Sequence, residues 1–199
     1  MDFVWWIYWL SCGAAVYGGI WISALWWVLQ PTLPSEKPLY DRFHQLLPRV
    51  NGGRLSEVIN LCSYVMLFGT LLSGIAWNSV WLEQFICYLL VLKTLRCFCF
   101  NLTVLPDASQ KAHLKPYWSR FLTGGVRDLI FSGHMTYLYA PLWFLYQHQV
   151  IAQVYFCAGC LVAVLSALNI LCRRDHYSID LVVAIAMCHF AFDLIKITS

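Results

Sequence analysis

Charge is scarce in this chain: Asp, Glu, Lys and Arg make up 12% of its 199 residues, where a soluble domain carries roughly 25%. That scarcity excludes an ordinary water-soluble globule, which needs more polar side chains to cover it. The formal net charge is only +3, and the Lys and Arg residues are scattered between apolar runs. They form no basic footprint for nucleic acid. The sequence also lacks an internal repeat, a low-complexity tract and a separate soluble domain. What abounds is apolar surface, with 60% hydrophobic residues and ten Trp, eleven Tyr and twelve Phe. One small core cannot bury so much, so lipid must solvate the rest, and the composition predicts an integral membrane protein.

The run from Phe3 to Leu29 carries no charge and exceeds the roughly 20 residues that a bilayer requires. It follows Asp2 instead of basic residues and closes on Trp26 and Trp27. These features predict a membrane helix with an interfacial aromatic belt, not a cleaved signal. Ser11, Ala15 and Gly19 lie four apart on one face, which suits close helix packing. Further spans are expected at roughly 55–77, 79–105, 128–147, 149–172 and 176–196. The fold class is therefore all-α: a polytopic membrane protein in which residues 1–199 form one domain, a bundle of six transmembrane helices. Very short connections around Asn78 and His148 predict two antiparallel hairpins. The longer segments 30–54 and 106–127, rich in Pro and charge, read as interfacial loops.

Nine cysteines are present, and Cys12, Cys62, Cys87, Cys157, Cys160 and Cys188 fall inside apolar runs, where Cys acts as a small apolar side chain. Cys157 and Cys160 have the spacing of a redox or zinc pair, but no second ligand pair accompanies them within the span, so they read as structural.

Charged groups within a membrane span are costly unless they face a polar cavity or a partner, so they point to a site. The third span carries Glu83, Lys93 and Arg96, and the last two share a helix face. The fourth opens with Asp128, then Phe131-Ser132-Gly133-His134, and the sixth with Arg173-Arg174-Asp175-His176-Tyr177-Ser178-Ile179-Asp180. His176 and Asp180 are four apart, so the carboxylate can hold one ring nitrogen and leave the other as a nucleophile or base. Ser132 and Gly133 let backbone N–H groups approach an anion, while Arg96, Arg173 and Arg174 add positive charge for a phosphate. Together these residues predict phosphoryl-group transfer at a lipid interface. His44, His113 and His148 read as loop residues, His189 as packed or hydrogen-bonded inside the sixth span, and Asp193 as a partner of Lys196.

These motifs resemble those of the sphingomyelin synthases and related ceramide phosphotransferases, themselves related to the type 2 phosphatidic acid phosphatases. Pro38-Leu39-Tyr40-Asp41 with Pro48 looks like the first motif, and Arg96 followed by Thr103-Val104-Leu105-Pro106 looks like the second. Asp128 with Phe131-Ser132-Gly133-His134 resembles the third, and His176-Tyr177-Ser178-Ile179-Asp180 the fourth. The resemblance implies that His176, oriented by Asp180, attacks the phosphorus of a glycerophospholipid to form a phosphohistidine. His134 would protonate the departing diacylglycerol and then deprotonate a lipid alcohol such as ceramide. Asp128 and Tyr177 would support the site. No metal or other cofactor is implied, because histidines and arginines carry proton transfer and charge neutralisation. Met135 stands where the family usually has Thr, Val126-Arg127 where Cys-Gly is common, and Asn101 interrupts the second motif.

With six spans, most Lys and Arg residues fall in the odd-numbered loops, which taken alone predicts that those loops are cytoplasmic. The resemblance implies instead an active site on the exoplasmic or lumenal face, with several of those arginines serving substrate. Two other readings are set against the transferase. A lipid phosphatase using water as acceptor shares the two-histidine chemistry, but no Arg in this chain is followed directly by Pro, as that group's first motif would have it. A non-catalytic lipid-binding protein would have to bury His134, His176 and Asp180 without use.

Overall fold

The computed structural model describes Gly18 and residues 39–50, 54–77, 79–102 and 131–198. Apart from Gly18, the expected first span at 3–29 lies outside the described residues, as do the loop 106–127, Asp128 and the second-motif residues 103–106. Among those described, the regular elements are all helices: α1 (Arg42–Leu46), α2 (Arg54–Trp77), α3 (Ser79–Leu102), α4 (Gly133–Gln147), α5 (Gln153–Arg173) and α6 (Ser178–Thr198).

Helix α4 is the hub, packing against α2, α5 and α6, while α3 packs against α2 and α6. Lipid tails are as apolar as leucine, so helix association in a bilayer depends on close packing and on hydrogen bonds between helices. Both are present. Phe85 and Tyr88 on α3 lie against Phe144 on α4, with ring centroids 4.9 and 6.0 Å apart, and all three rings are buried. The Tyr88 hydroxyl donates to the Cys188 carbonyl at 2.9 Å, tying α3 to α6. On α6 the small residues Ala184, Cys188 and Ala191 are buried, which allows that close approach.

The outward surface is apolar too. Val58, Leu61, Val65, Phe68, Leu72 and Ile75 are exposed along α2, and Val154, Leu161, Val164, Leu165 and Leu168 along α5. Three helices are long and apolar enough to cross a membrane, over Glu57–Ala76, Gln153–Arg173 and Ser178–Lys196. The expectation of six spans is thus met for three among the described residues. Helix α3 has membrane-spanning length but carries Glu83, Lys93 and Arg96. Helix α4 has 15 residues, about 22 Å at the usual rise, short of a hydrocarbon core of roughly 30 Å. With α4 starting at Gly133 and α6 at Ser178, His134 and His176 lie at helix heads. Cys157 and Cys160 are free thiols on α5.

Candidate active site

The site is built where α5 ends and α6 begins. Arg174 adopts a left-handed conformation, φ 62°. Its N–H donates to the Leu171 carbonyl at 3.1 Å and the Asp175 N–H to the Ile170 carbonyl at 3.2 Å, the two bonds of a Schellman turn. A non-glycine residue in that conformation stores roughly 1 kcal/mol or more. The turn drops the chain directly onto His176.

Asp180 then performs two tasks from the first turn of α6. Its Oδ2 accepts the Tyr177 N–H at 2.8 Å, satisfying an amide that the helix itself leaves without a partner. The same oxygen lies 3.3 Å from His176 Nδ1. Asp180 is fully buried, and its Oδ1 has no hydrogen-bond partner. A buried carboxylate with one oxygen committed to the imidazole fixes the ring's tautomer, with the proton on Nδ1 and the lone pair on Nε2.

Helix α4 delivers the second histidine. Ser132 caps it, its hydroxyl accepting the Met135 N–H at 3.4 Å, and the Ser132 N–H donates to the Asp180 carbonyl at 3.4 Å. That bond pins the N-terminus of α4 to the first turn of α6, so two positive helix ends converge. The rings of His134 and His176 stand 6.5 Å apart, edge to face. His176, Asp175, Arg96 and Arg173 are the ionisable groups around His134.

Arg96 comes from α3 and lies against the head of α4. A Cβ added to Gly133 would meet the Arg96 guanidinium nitrogens at 2.9 and 3.1 Å. A larger residue here would therefore have to displace the Arg96 guanidinium. One turn deeper, Lys93 donates to the Tyr137 hydroxyl, and Arg96 also hydrogen-bonds the Tyr137 side chain. Tyr137 follows His134 by three positions, so this polar column continues the face that carries His134.

Residues 39–50 strap the site from outside the helices. Asp41 caps α1, with Oδ1 accepting from the Phe43 and His44 N–H groups at 2.9 and 3.4 Å. Its Oδ2 accepts the Ser178 N–H of α6 at 2.6 Å. One carboxylate thus holds the N-termini of two helices. Burial pushes its pKa up, but hydrogen bonds from Ser178, the nearby His44 and the Phe43 amide outweigh this and hold it below its ordinary value. The Tyr177 hydroxyl accepts the Leu39 N–H at 3.1 Å, and His44 Nε2 lies 2.9 Å from the His176 carbonyl. Tyr40, Phe43 and Leu46 are exposed on this strap, which suits an interfacial segment.

His134, His176, Asp180, Ser132, Gly133, Arg96 and Tyr177 thus gather at one end of the bundle. Arg173 stands at the rim, its Nε 3.0 Å from Asp175. Arg174, expected at the phosphate, donates from Nη2 to the Leu47 carbonyl at 3.0 Å and holds the strap, while its buried Nη1 has no hydrogen-bond partner among the described residues. His189 is hydrogen-bonded to the Tyr139 hydroxyl at 2.9 Å inside the bundle, as its place in the last span suggests. His44, read from sequence as a loop residue, instead touches the backbone of the proposed nucleophile. Its one local signal was its place three residues after a helix-capping Asp. Of the Lys93–Tyr137 pair, the sequence showed only that Lys93 shares a helix face with Arg96.

With this geometry in place, similarity to known proteins bears on the same residues. Residues 127–198 match the family described as PAP2 superfamily C-terminal. The match contains both histidines and Asp180, and it fits a lipid phosphatase or phosphotransferase type of function. Comparison with curated proteins gives no match.

Proposed function

We propose that the protein is a membrane-bound lipid phosphotransferase that moves a phospho-head group from a glycerophospholipid to a lipid alcohol such as ceramide, releasing diacylglycerol. The observation that carries this reading is the facing pair His134 and His176, 6.5 Å apart, with His176 Nδ1 held by the buried Asp180. In the first half-reaction Nε2 of His176 attacks phosphorus, the bond from phosphorus to the diacylglycerol oxygen breaks, and His134 gives that oxygen its proton. In the second, His134 takes the proton of the acceptor hydroxyl as its oxygen attacks phosphorus, and the phosphorus–nitrogen bond breaks.

Arg96 and the amides at the head of α4, beside Ser132 and Gly133, neutralise the phosphate oxygens, with Arg173 at the rim. Arg174 supports the site by holding the strap, and Tyr177 supports it through Leu39. Asp128 is assigned a supporting role by its place in the motif alone. We place the site on the exoplasmic or lumenal face; a cysteine introduced in loop 106–127 would then be labelled only from that side.

The test is product analysis by mass spectrometry after incubating the protein in vesicles with labelled ceramide and mixed phospholipids, beside His134→Ala and His176→Ala. A phosphosphingolipid plus diacylglycerol, absent from both variants, supports the transferase and names its head group. The match to the PAP2 superfamily also favours a hydrolase, in which water takes the acceptor's place. Diacylglycerol released without modified ceramide is the outcome that would select it or a diacylglycerol-type acceptor.

A further inference from the structure

His176 lies in the bend between α5 and α6, outside both helices. No helical ladder fixes its backbone, yet a nucleophile must present its reacting atom within a fraction of an ångström, and a displacement of 1 Å costs on the order of 100-fold in rate. Asp180 holds the ring at Nδ1 and the Tyr177 amide at one end of the bend. The His176 carbonyl is met by a different group, Nε2 of His44, at 2.9 Å across the chain.

A carbonyl only accepts, so Nε2 of His44 must carry the hydrogen. His44 is itself fixed twice: its backbone N–H bonds to Asp41, which holds the main chain, and its ring stacks on Tyr177 with centroids 5.6 Å apart. Asp41 and Tyr177 are both anchored to the bend that His44 holds, through Ser178 and through the chain itself.

From this closed set of contacts we propose that His44 is a positioning residue for catalysis: by donating Nε2–H to the His176 carbonyl it sets the direction in which the His176 nucleophile faces the phosphorus. This rests on the phosphohistidine mechanism above. His44 touches neither substrate nor the reacting atoms, so its loss should lower the rate of phosphorus–nitrogen bond formation without weakening lipid binding.

Three variants separate the hydrogen bond from the stacking. His44→Phe keeps an aromatic ring on Tyr177 and removes the donor. His44→Gln keeps an N–H donor at the reach of Nε2 and removes the ring, whereas in His44→Asn the donor falls one methylene short. The readout is the single-turnover rate of phosphoenzyme formation from a radiolabelled phospholipid in vesicles, together with KM and thermal midpoint, with His176→Ala as the blank. The expected result is a fall of about tenfold or more for His44→Phe and His44→Asn with KM within about twofold, and recovery to within about threefold in His44→Gln. His44→Phe at the wild-type rate, or Gln and Asn equally impaired, overturns the proposal while leaving the phosphohistidine mechanism standing. If His44→Phe does not fold, the comparison of Gln with Asn decides in the same way. A wild-type protein that forms no phosphoenzyme above the His176→Ala blank overturns the mechanism and this proposal together.

Discussion

The Arg96 guanidinium occupies the space that a Cβ at Gly133 would fill, with its nearest nitrogen 2.9 Å from that position. The neighbour in the way is the far end of a flexible side chain, so Gly133→Ala should be accommodated by displacing Arg96 at little cost to the fold. The displaced guanidinium, however, is the charge assigned to the phosphate. Gly133→Ala is therefore expected to keep the wild-type thermal midpoint while kcat/KM falls by ~10-fold or more. A folded variant of wild-type activity would remove Arg96 from the phosphate site, whereas one that unfolds would show that Arg96 cannot yield the space.

Asp180 is fully buried and shares Oδ2 between the Tyr177 amide and His176 Nδ1. Asp180→Asn retains the size and an oxygen for the Tyr177 amide but removes the negative charge that steadies the imidazole as it becomes cationic. A drop in kcat of ~10²–10⁴-fold is expected, with substrate KM little changed. His134→Ala should lower kcat within the same range, since general acid–base catalysis contributes ~10²–10⁴-fold. Steady-state kinetics in vesicles checks both.

Burial raises the pKa of Asp41, but hydrogen bonds from Ser178, then the nearby His44 and the Phe43 amide, hold it below its ordinary value. A depressed carboxylate pKa means that the unfolded chain binds the proton more readily than the native one. The stability contributed by Asp41 is therefore complete above its unfolded pKa, about 4, and is lost as pH falls below that through the native value. Asp41→Ala removes the α1 cap and leaves the Ser178 amide without its carboxylate, a loss of ~1–3 kcal/mol at neutral pH. Thermal midpoints measured from pH 7 downward should show wild type and variant converging below pH ~4.

How much of this was legible in the sequence differs from element to element. The apolar runs at 55–77, 149–172 and 176–196 announced helices because hydropathy needs no partner to be read, and α2, α5 and α6 lie there. His176 and Asp180 were readable because a spacing of four on a helix fixes which side chains meet. Arg96 was flagged by the cost of a buried charge, although its contact with Gly133 joins residues far apart in sequence and has no local signature. The hold of Arg174 on the strap was hidden for the same reason: its Nη2 reaches the Leu47 carbonyl 127 positions away, and nothing in a run of two arginines announces that contact. The role of Asp41 was hidden most completely. A capping Asp is a local signal, but its second oxygen reaches across 137 positions to Ser178.

Tyr88 offers a test of the scaffold apart from the chemistry. Its ring is buried between α3, α4 and α6, and its hydroxyl donates to the Cys188 carbonyl at 2.9 Å. Tyr88→Phe keeps the ring contacts with Phe85 and Phe144 and deletes only that bond. Interhelical side-chain hydrogen bonds in a bilayer contribute ~0.6 kcal/mol on average and up to about 1.7. The variant should therefore lose stability within that range in a reversible unfolding assay while kcat and KM stay at wild-type values, because no residue assigned to catalysis touches the hydroxyl. A fall in kcat would mean that the spacing of α3 from α6 at this bond also sets the distance from Arg96 to His176, coupling the core of the bundle to its active end.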